Sequence, residues 1–153
     1  MILPRRLEKA TLSDVLRPTV SPEQERFVAS AAVTIAQSMF EPDSEVLGLW
    51  VGDRVVGLMA TIDDKRPEAG SRADEATDSL YLWRLLIDEK EQRKGYGSQA
   101  LKAFLNQAGQ KRKGRVTLTV LDAPGTAIPF YQSHGFIRTG RIIEGEVQMA
   151  RTV

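Results

Sequence analysis

The chain has 153 residues, the length of one domain of ordinary size with room for a proper core. Apolar residues make up 42% and charged ones 27%, the balance of a soluble globular protein, and the net charge of +1 gives no general attraction to nucleic acid or to an anionic membrane. There is no cysteine and His134 is the single histidine, so disulfides, thiolate and multi-histidine metal sites and a cysteine acyl-enzyme are excluded, and no metal is expected.

Met1–Arg6 has no apolar core long enough for a signal peptide, and no run approaches the ~20 apolar residues that cross a bilayer, so a cytoplasmic protein is expected. Residues 5–9 read as a short first strand. Thr11–Val20 is ambiguous and broken by Pro18. Ser21-Pro22-Glu23-Gln24 has the form of a helix start, with a capping serine, proline at the first position and an acid in the first turn. A second helix is predicted over Ser30–Met39, with Ala32, Ile35, Ala36 and Met39 as its apolar stripe and Pro42 beyond its end.

Val46–Val51 and Arg54–Ile62 read as strands joined by the two-residue turn Gly52-Asp53. Asp63–Asp78, acidic and without an apolar period, reads as a mobile loop. In Leu80–Ile87 apolar residues do not alternate with polar ones, which predicts a central strand covered on both faces. A helix follows over Gly97–Gln110, with Leu101, Phe104, Leu105 and Ala108 on one face. Lys111-Arg112-Lys113-Gly114 supplies cations and a glycine to close it. Val116–Val120 is the next strand, and Thr126–His134 a short helix with Pro129 in its first turn and Gly135 as its stop. Phe136–Ile143 and Glu146–Arg151 form a last hairpin about Glu144-Gly145. The order is that of a single α/β (α+β) domain with a mixed sheet, without repeats or linkers.

Between the central strand and its helix lies Gln92-Arg93-Lys94-Gly95-Tyr96-Gly97-Ser98. Its glycines permit positive φ and a close backbone approach, and the helix start offers free N–H groups at the positive end of the dipole. This combination suits a phosphate or pyrophosphate. It is neither a Walker loop nor the dinucleotide fingerprint, whose spacings are absent.

The run Gln92-x-x-Gly95-x-Gly97, after Leu85-Leu86-Ile87, resembles the acyl-CoA pyrophosphate loop of the GNAT superfamily of N-acetyltransferases. Ala127-Ile128-Pro129-Phe130-Tyr131-Gln132-Ser133-His134-Gly135-Phe136 resembles that superfamily's second signature, about 30 residues further on. Ser21–Val28, Trp83–Asp88 and the terminal segment from Thr139 to Val147 look like the bacterial spermine/spermidine (diamine) acetyltransferase branch.

The resemblance implies a GNAT fold: a central mixed, mostly antiparallel sheet of six to seven strands flanked by helices, with the central strand and Val116–Val120 splayed apart. It implies acetyl-CoA as co-substrate, a small amine as acceptor, and a homodimer through the C-terminal strands or a sheet edge. Leu85, Leu86 and Ile87 would run beside the pantetheine arm, and Gln92, Arg93, Lys94, Gly95, Tyr96, Gly97 and Ser98 would hold the pyrophosphate. Tyr131 falls at the general-acid tyrosine, which protonates the leaving thiolate.

The acceptor and its base are less determined. A polyamine is favoured, with an amino acid, an antibiotic, a protein N-terminal amine or a non-catalytic CoA-binding module as alternatives. A polycation calls for an acidic mouth, and Glu41, Asp43, Glu45, Asp63, Asp64, Asp74, Glu75 and Asp78 are the loop acids available for it. Asp78, Glu144 and Glu146 are the candidate bases. Trp83 stands where some diamine acetyltransferases place a Glu, and Pro124 where the superfamily often has an Asn. Arg84, a charge inside an apolar strand, is expected in a buried or edge salt bridge, with binding of a substrate carboxylate as the alternative. His134 is expected to serve the helix dipole.

Overall fold

The computed structural model describes residues 1–63 and 79–153. The predicted loop Asp63–Asp78 lies outside the described residues apart from Asp63.

Seven strands form one sheet: β1 (Leu3–Arg6), β2 (Ser44–Val51), β3 (Arg54–Ile62), β4 (Ser79–Ile87), β5 (Arg115–Val120), β6 (Ile137–Ile143) and β7 (Glu146–Thr152). Their order is β1-β2-β3-β4-β5-β7-β6, and only the β4–β5 pair is parallel. The helices are α1 (Leu12–Leu16), α2 (Ala31–Ser38), α3 (Tyr96–Gln110) and α4 (Ile128–Ser133). The expected mixed, mostly antiparallel sheet is therefore present. Among the described residues no helix is long and apolar enough to cross a membrane.

Consecutive strand residues feed opposite faces of the sheet, as the period of two requires. Leu49 and Met59 join the larger core with Leu101, Phe104 and Ala108 of α3. Their neighbours Trp50, Leu58 and Ala60 join a smaller one with Val15 of α1 and Ala31 of α2. Two buried layers, one per face, explain why β3 has no alternation: both of its faces are covered.

Several boundaries differ from the sequence reading. The first strand is Leu3–Arg6 rather than 5–9, because Leu3–Arg6 is the segment registered on Leu47–Trp50. Ser21–Gln24 makes only one 3-10 turn, Pro22–Gln24, and the cap serine accepts no side-chain bond; the chain then runs on irregularly. In α2 the buried positions are Ala31 and Thr34 with Ile35 beside them, whereas Ala32 and Ala36 are exposed and Met39 is 80% exposed. The true inward positions include a threonine, which an apolar-period search passes over.

The end of α3 also differs. The left-handed residue is Arg112 (φ 56), not Gly114. Lys113 N–H bonds the Ala108 carbonyl at 3.0 Å and Arg112 N–H the Gly109 carbonyl at 2.9 Å, a Schellman-type closure. Lys113 then turns inward to an ion pair with Asp63 at 2.7 Å, which holds this residue in place.

Candidate active site

The parallel pair β4–β5 is the origin of the site. Its register runs from Ser79↔Arg115 to Leu82↔Leu118 and stops. Beyond it β5 stays on β7 through Val120↔Val147, while β4 stays on β3 through Ile87↔Gly57. The two strands therefore part at Leu82, as the resemblance implied, and leave one backbone edge of Trp83–Ile87 facing the gap.

A bulge sits at the same point. Ala60 pairs with Arg84 and Thr61 with Leu82, so Trp83 is an extra residue in β4. The consequence is a change of parity. Leu80 and Leu82 before the bulge and Leu85 and Ile87 after it all pack with the larger core. Without the insertion the two pairs face opposite sides.

The gap opens into a cavity of about 740 Å³, in the size range of small-molecule sites. One end is the loop into α3. The left-handed residues there are Arg93 (φ 61) and Gly95 (φ 83). Gly97 has no positive φ; it lies inside the helix, and a Cβ on it meets Phe130 Cζ at 3.4 Å. Its lack of a side chain serves packing rather than a turn. The first N–H to bond back within the helix is that of Gln99, to the Gly95 carbonyl at 3.2 Å. The N–H groups ahead of it have no intrahelical acceptor and point their dipole at the cavity end.

Of the residues expected at the coenzyme, Leu85, Ile87, Gln92, Arg93, Gly95, Gly97 and Ser98 line this cavity. Gln92 is held there: its amide exchanges bonds with Gln24 (2.9 and 3.2 Å) and donates to the Ile87 carbonyl at 2.9 Å. Leu86, Lys94 and Tyr96 stand off the wall. Leu86 is buried in the sheet, Lys94 is drawn to Glu91 at 3.2 Å, and Tyr96 packs on the larger core.

Tyr131 lines the same cavity from α4. Its ring makes edge contacts with Phe130 and Phe136, at centroid distances of 5.2 and 5.8 Å. Burial pushes its phenol well above the ordinary tyrosine range, and nearby Tyr81 adds to this. The hydroxyl thus keeps its proton throughout the neutral range.

Of the two candidate bases among the described residues, Glu146 alone lines the cavity wall. Thr119 Oγ1 donates to Glu146 Oε1 at 3.0 Å, and Tyr81 Oη lies 2.8 Å from the same threonine oxygen. Glu144 sits exposed in the β6–β7 turn with φ 50, and Asp78 lies outside the described residues.

The acidic mouth does not form from the described loop acids. Glu41, Asp43, Glu45 and Asp63 are all off the cavity wall. Glu45 bonds Gln107 and lies 3.9 Å from Arg6, and Asp63 pairs with Lys113 and Lys111. A local amide and local cations thus hold Glu45 and Asp63. Asp64, Asp74, Glu75 and Asp78 lie outside the described residues. Among the described residues, the charged groups that do line the cavity are Glu25, Arg26, Arg84, Arg93 and Glu146.

One expectation needs correcting. Arg84 forms no salt bridge with any described residue; it donates to the Trp83 carbonyl and to Gln37 Oε1, both at 3.0 Å, and stacks on Trp83. His134 stands at the C-terminal end of α4 and bonds Ser98 across to α3. The wall from Gln24 to Ala29 follows a predicted helix start yet is irregular, and a segment without periodicity carries no signal that it lines a site. Pro124 contributes its carbonyl, which accepts from Arg26 at 2.8 Å.

Solved acetyltransferases share this architecture. An acetyltransferase from Thermus thermophilus superposes with a TM-score of 0.77 at 19% identity, over 99% of this chain and 97% of that one. The PaiA N-acetyltransferase of Thermoplasma acidophilum, in complex with coenzyme A, gives 0.68 at 17% identity over 100% and 99%. A GNAT family acetyltransferase from Elizabethkingia anophelis with acetyl-CoA bound gives 0.67 at 15% identity over 100% and 97%. At these identities the likeness establishes the fold. The sequence profile described as "Acetyltransferase (GNAT) domain" matches residues 16–147, nearly the whole chain. The chain belongs to the GNAT acetyltransferase family.

Proposed function

We propose that the protein transfers the acetyl group of acetyl-CoA to the amine of a small molecule by direct attack, with Tyr131 as general acid and Glu146 as the group that receives the amine. The reading rests on one observation: the free N–H groups of the α3 loop, the open edge of β4, Tyr131 and Glu146 all border one cavity. The Thermoplasma and Elizabethkingia relatives hold coenzyme A and acetyl-CoA, and the residues here fit the same group. The loop N–H groups and Arg93 suit a pyrophosphate, and the unpaired edge of Trp83–Ile87 suits the amide-bearing pantetheine arm.

Acetyl-CoA supplies an activated thioester. The amine nitrogen bonds the acetyl carbon and the carbon–sulfur bond breaks, so the sulfur leaves with the electron pair. Tyr131 delivers its proton to that sulfur. The nitrogen gives up a proton in turn, and Glu146, linked through Thr119 to Tyr81, accepts it or orients the amine that loses it. An amine of pKa ~10.4 is neutral in about one molecule per thousand near pH 7.4, worth about 4 kcal/mol, which is the cost of starting from the protonated amine in bulk solvent.

Replacing Tyr131 with Phe removes the proton donor and leaves the ring. Thiol release is expected to fall about 100-fold or more while acetyl-CoA binds with its original Kd. Full turnover by this variant excludes Tyr131 as the acid. A polyamine acceptor keeps the sequence resemblance in its favour but has no acidic mouth among the described residues. An amine panel that includes spermidine decides it: coenzyme A release with spermidine and spermine supports it, and release only with other amines rejects it.

A further inference from the structure

Arg84 and Glu146 line one cavity, carry opposite charges and do not pair. The Arg84 guanidinium is half-buried and fixed by three contacts: Nη1 to the Trp83 carbonyl at 3.0 Å, Nη2 to Gln37 Oε1 at 3.0 Å, and the Trp83 ring with its centroid 4.6 Å away. Its Nε–H is buried with no acceptor. None of these contacts neutralises the charge. Loss of water lowers the pKa of Arg84, and Tyr81 and Glu146 work against that lowering from nearby. A half-buried cation held in place without an anion is costly unless something else brings one. The cavity is where that something enters.

We propose that Arg84 is the site for a carboxylate carried by the acceptor, and that the acceptor is a free α-amino acid whose amino group faces Glu146. This deepens, and rests on, the acetyl-transfer reading above. The chemistry of the wall selects the class. A guanidinium matches a planar carboxylate through paired N–H groups. Glu146 and Arg84 line the same cavity without pairing with each other, so a single molecule bearing both charges can meet both. The amino terminus of a peptide has no carboxylate beside its amine. A polyamine brings only further positive charge toward Arg84, and like charges brought together in a desolvated site repel. The bulge explains the placement. Trp83, the extra residue of β4, offers its carbonyl to Arg84 and its ring beneath the guanidinium.

The test measures thiol release at fixed acetyl-CoA for the standard L-amino acids, the carboxamide of each, and spermidine, with wild type, Arg84→Gln and Arg84→Lys. Calorimetric binding of the same amino acids to the protein saturated with coenzyme A runs in parallel. At least one free amino acid is expected to exceed its carboxamide about tenfold or more in kcat/KM, as a lost charged contact predicts. Arg84→Gln erases that ratio, Arg84→Lys keeps part of it, and the Kd for acetyl-CoA changes by less than about twofold in both. Carboxamides or spermidine turned over as well as the free acids, or a ratio that survives Arg84→Gln, overturn the proposal and leave acetyl transfer standing. Binding that depends on the carboxylate and on Arg84, without thiol release from any amine, supports the carboxylate site and overturns acetyl transfer. Neither binding preference nor turnover overturns both.

Discussion

The Nε2 atom of His134 lies 3.0 Å from the Ser98 hydroxyl and joins the end of α4 to the first turn of α3. Its Nδ1 lies 2.8 Å from the Phe130 carbonyl, and a proton shared with that oxygen leaves Nε2 to accept from Ser98. The bridge spans the two signatures. One side is the loop proposed to hold the pyrophosphate; the other is the helix turn that carries Tyr131. His134→Ala is expected to lower kcat about three- to tenfold with a smaller rise in KM for acetyl-CoA, because it loosens the acid relative to the thioester rather than removing a ligand contact. Ser98→Ala adds little in that background. Independent, additive losses in the double variant argue against the bridge.

The loop predicts a second, separable effect. Gly95 has φ 83, and a Cβ on it meets nothing within 4 Å, so Gly95→Ala introduces backbone strain alone, about 1–2 kcal/mol. Gly52, φ 59 in the β2–β3 turn, is equally open and is not among the residues that line the cavity. Gly52→Ala is expected to lose similar stability with the acetyl-CoA Kd unchanged. Gly95→Ala is expected to raise that Kd about fivefold or more as the loop relaxes out of its anion-facing shape. Equal Kd values for the two variants reject a special role for this loop conformation.

Much of the candidate site was legible because it lies in short, local patterns. Gly95, Gly97 and Tyr131 sit in contiguous motifs, and the loop they define forms from neighbouring residues. The parting of β4 from β5 was reached only through the family resemblance, since strand register is set by residues far apart in the chain. The insertion of Trp83 is of the same kind: a bulge exists only relative to a partner strand, here Ala60 and Thr61. The charges illustrate the other limit. Arg84 in an apolar strand reads as half of a salt bridge, and the acids of the loops read as a polycation's mouth. Which cation meets which acid depends on tertiary packing. It assigns Asp63 to Lys113, Glu45 to Gln107, and no carboxylate among the described residues to Arg84.

The Asp63–Lys113 pair makes a stability prediction. The Lys113 side chain is 6% exposed, that of Asp63 12%, and the ions are 2.7 Å apart. Removing one partner strands the other in a desolvated setting, which costs about 3–5 kcal/mol in fully buried pairs. Lys113→Met is expected to be costly and to lower Tm by several degrees, with Lys111, 3.8 Å from Asp63, limiting the loss. Lys111→Met, at an exposed position, is expected to change Tm little. Comparable losses from both variants contradict the buried character of the first pair.

Gly57 ties the sheet to the site most tightly. It pairs with Ile87, the last residue of β4 before the loop into α3, and a Cβ built on it lies 2.1 Å from the Leu86 carbonyl oxygen. That atom is backbone within a strand, so it cannot rotate aside; β3 and β4 must separate or the substitution must fail. Two further contacts, with Ile87 Cδ1 at 3.1 Å and its Cα at 3.2 Å, close the remaining space. Gly57→Ala is therefore expected to destabilise by about 3 kcal/mol, at the upper end of ordinary overpacking, although it adds one methyl group to a strand where alanine is better tolerated than glycine. The displaced segment is Leu86–Ile87, whose carbonyl also anchors Gln92, so weaker acetyl-CoA binding is expected to accompany the stability loss. Gly48 is the contrast. Its crowding comes from side-chain atoms of Trp50 and Val15 at 3.0 Å, which can shift, and Gly48→Ala is expected to cost less and to leave acetyl-CoA binding intact. Denaturant unfolding and acetyl-CoA titration of the two variants side by side measure both effects. A Gly57→Ala protein as stable as wild type, with unchanged binding, shows that β3 and β4 are not held together as closely as this register requires.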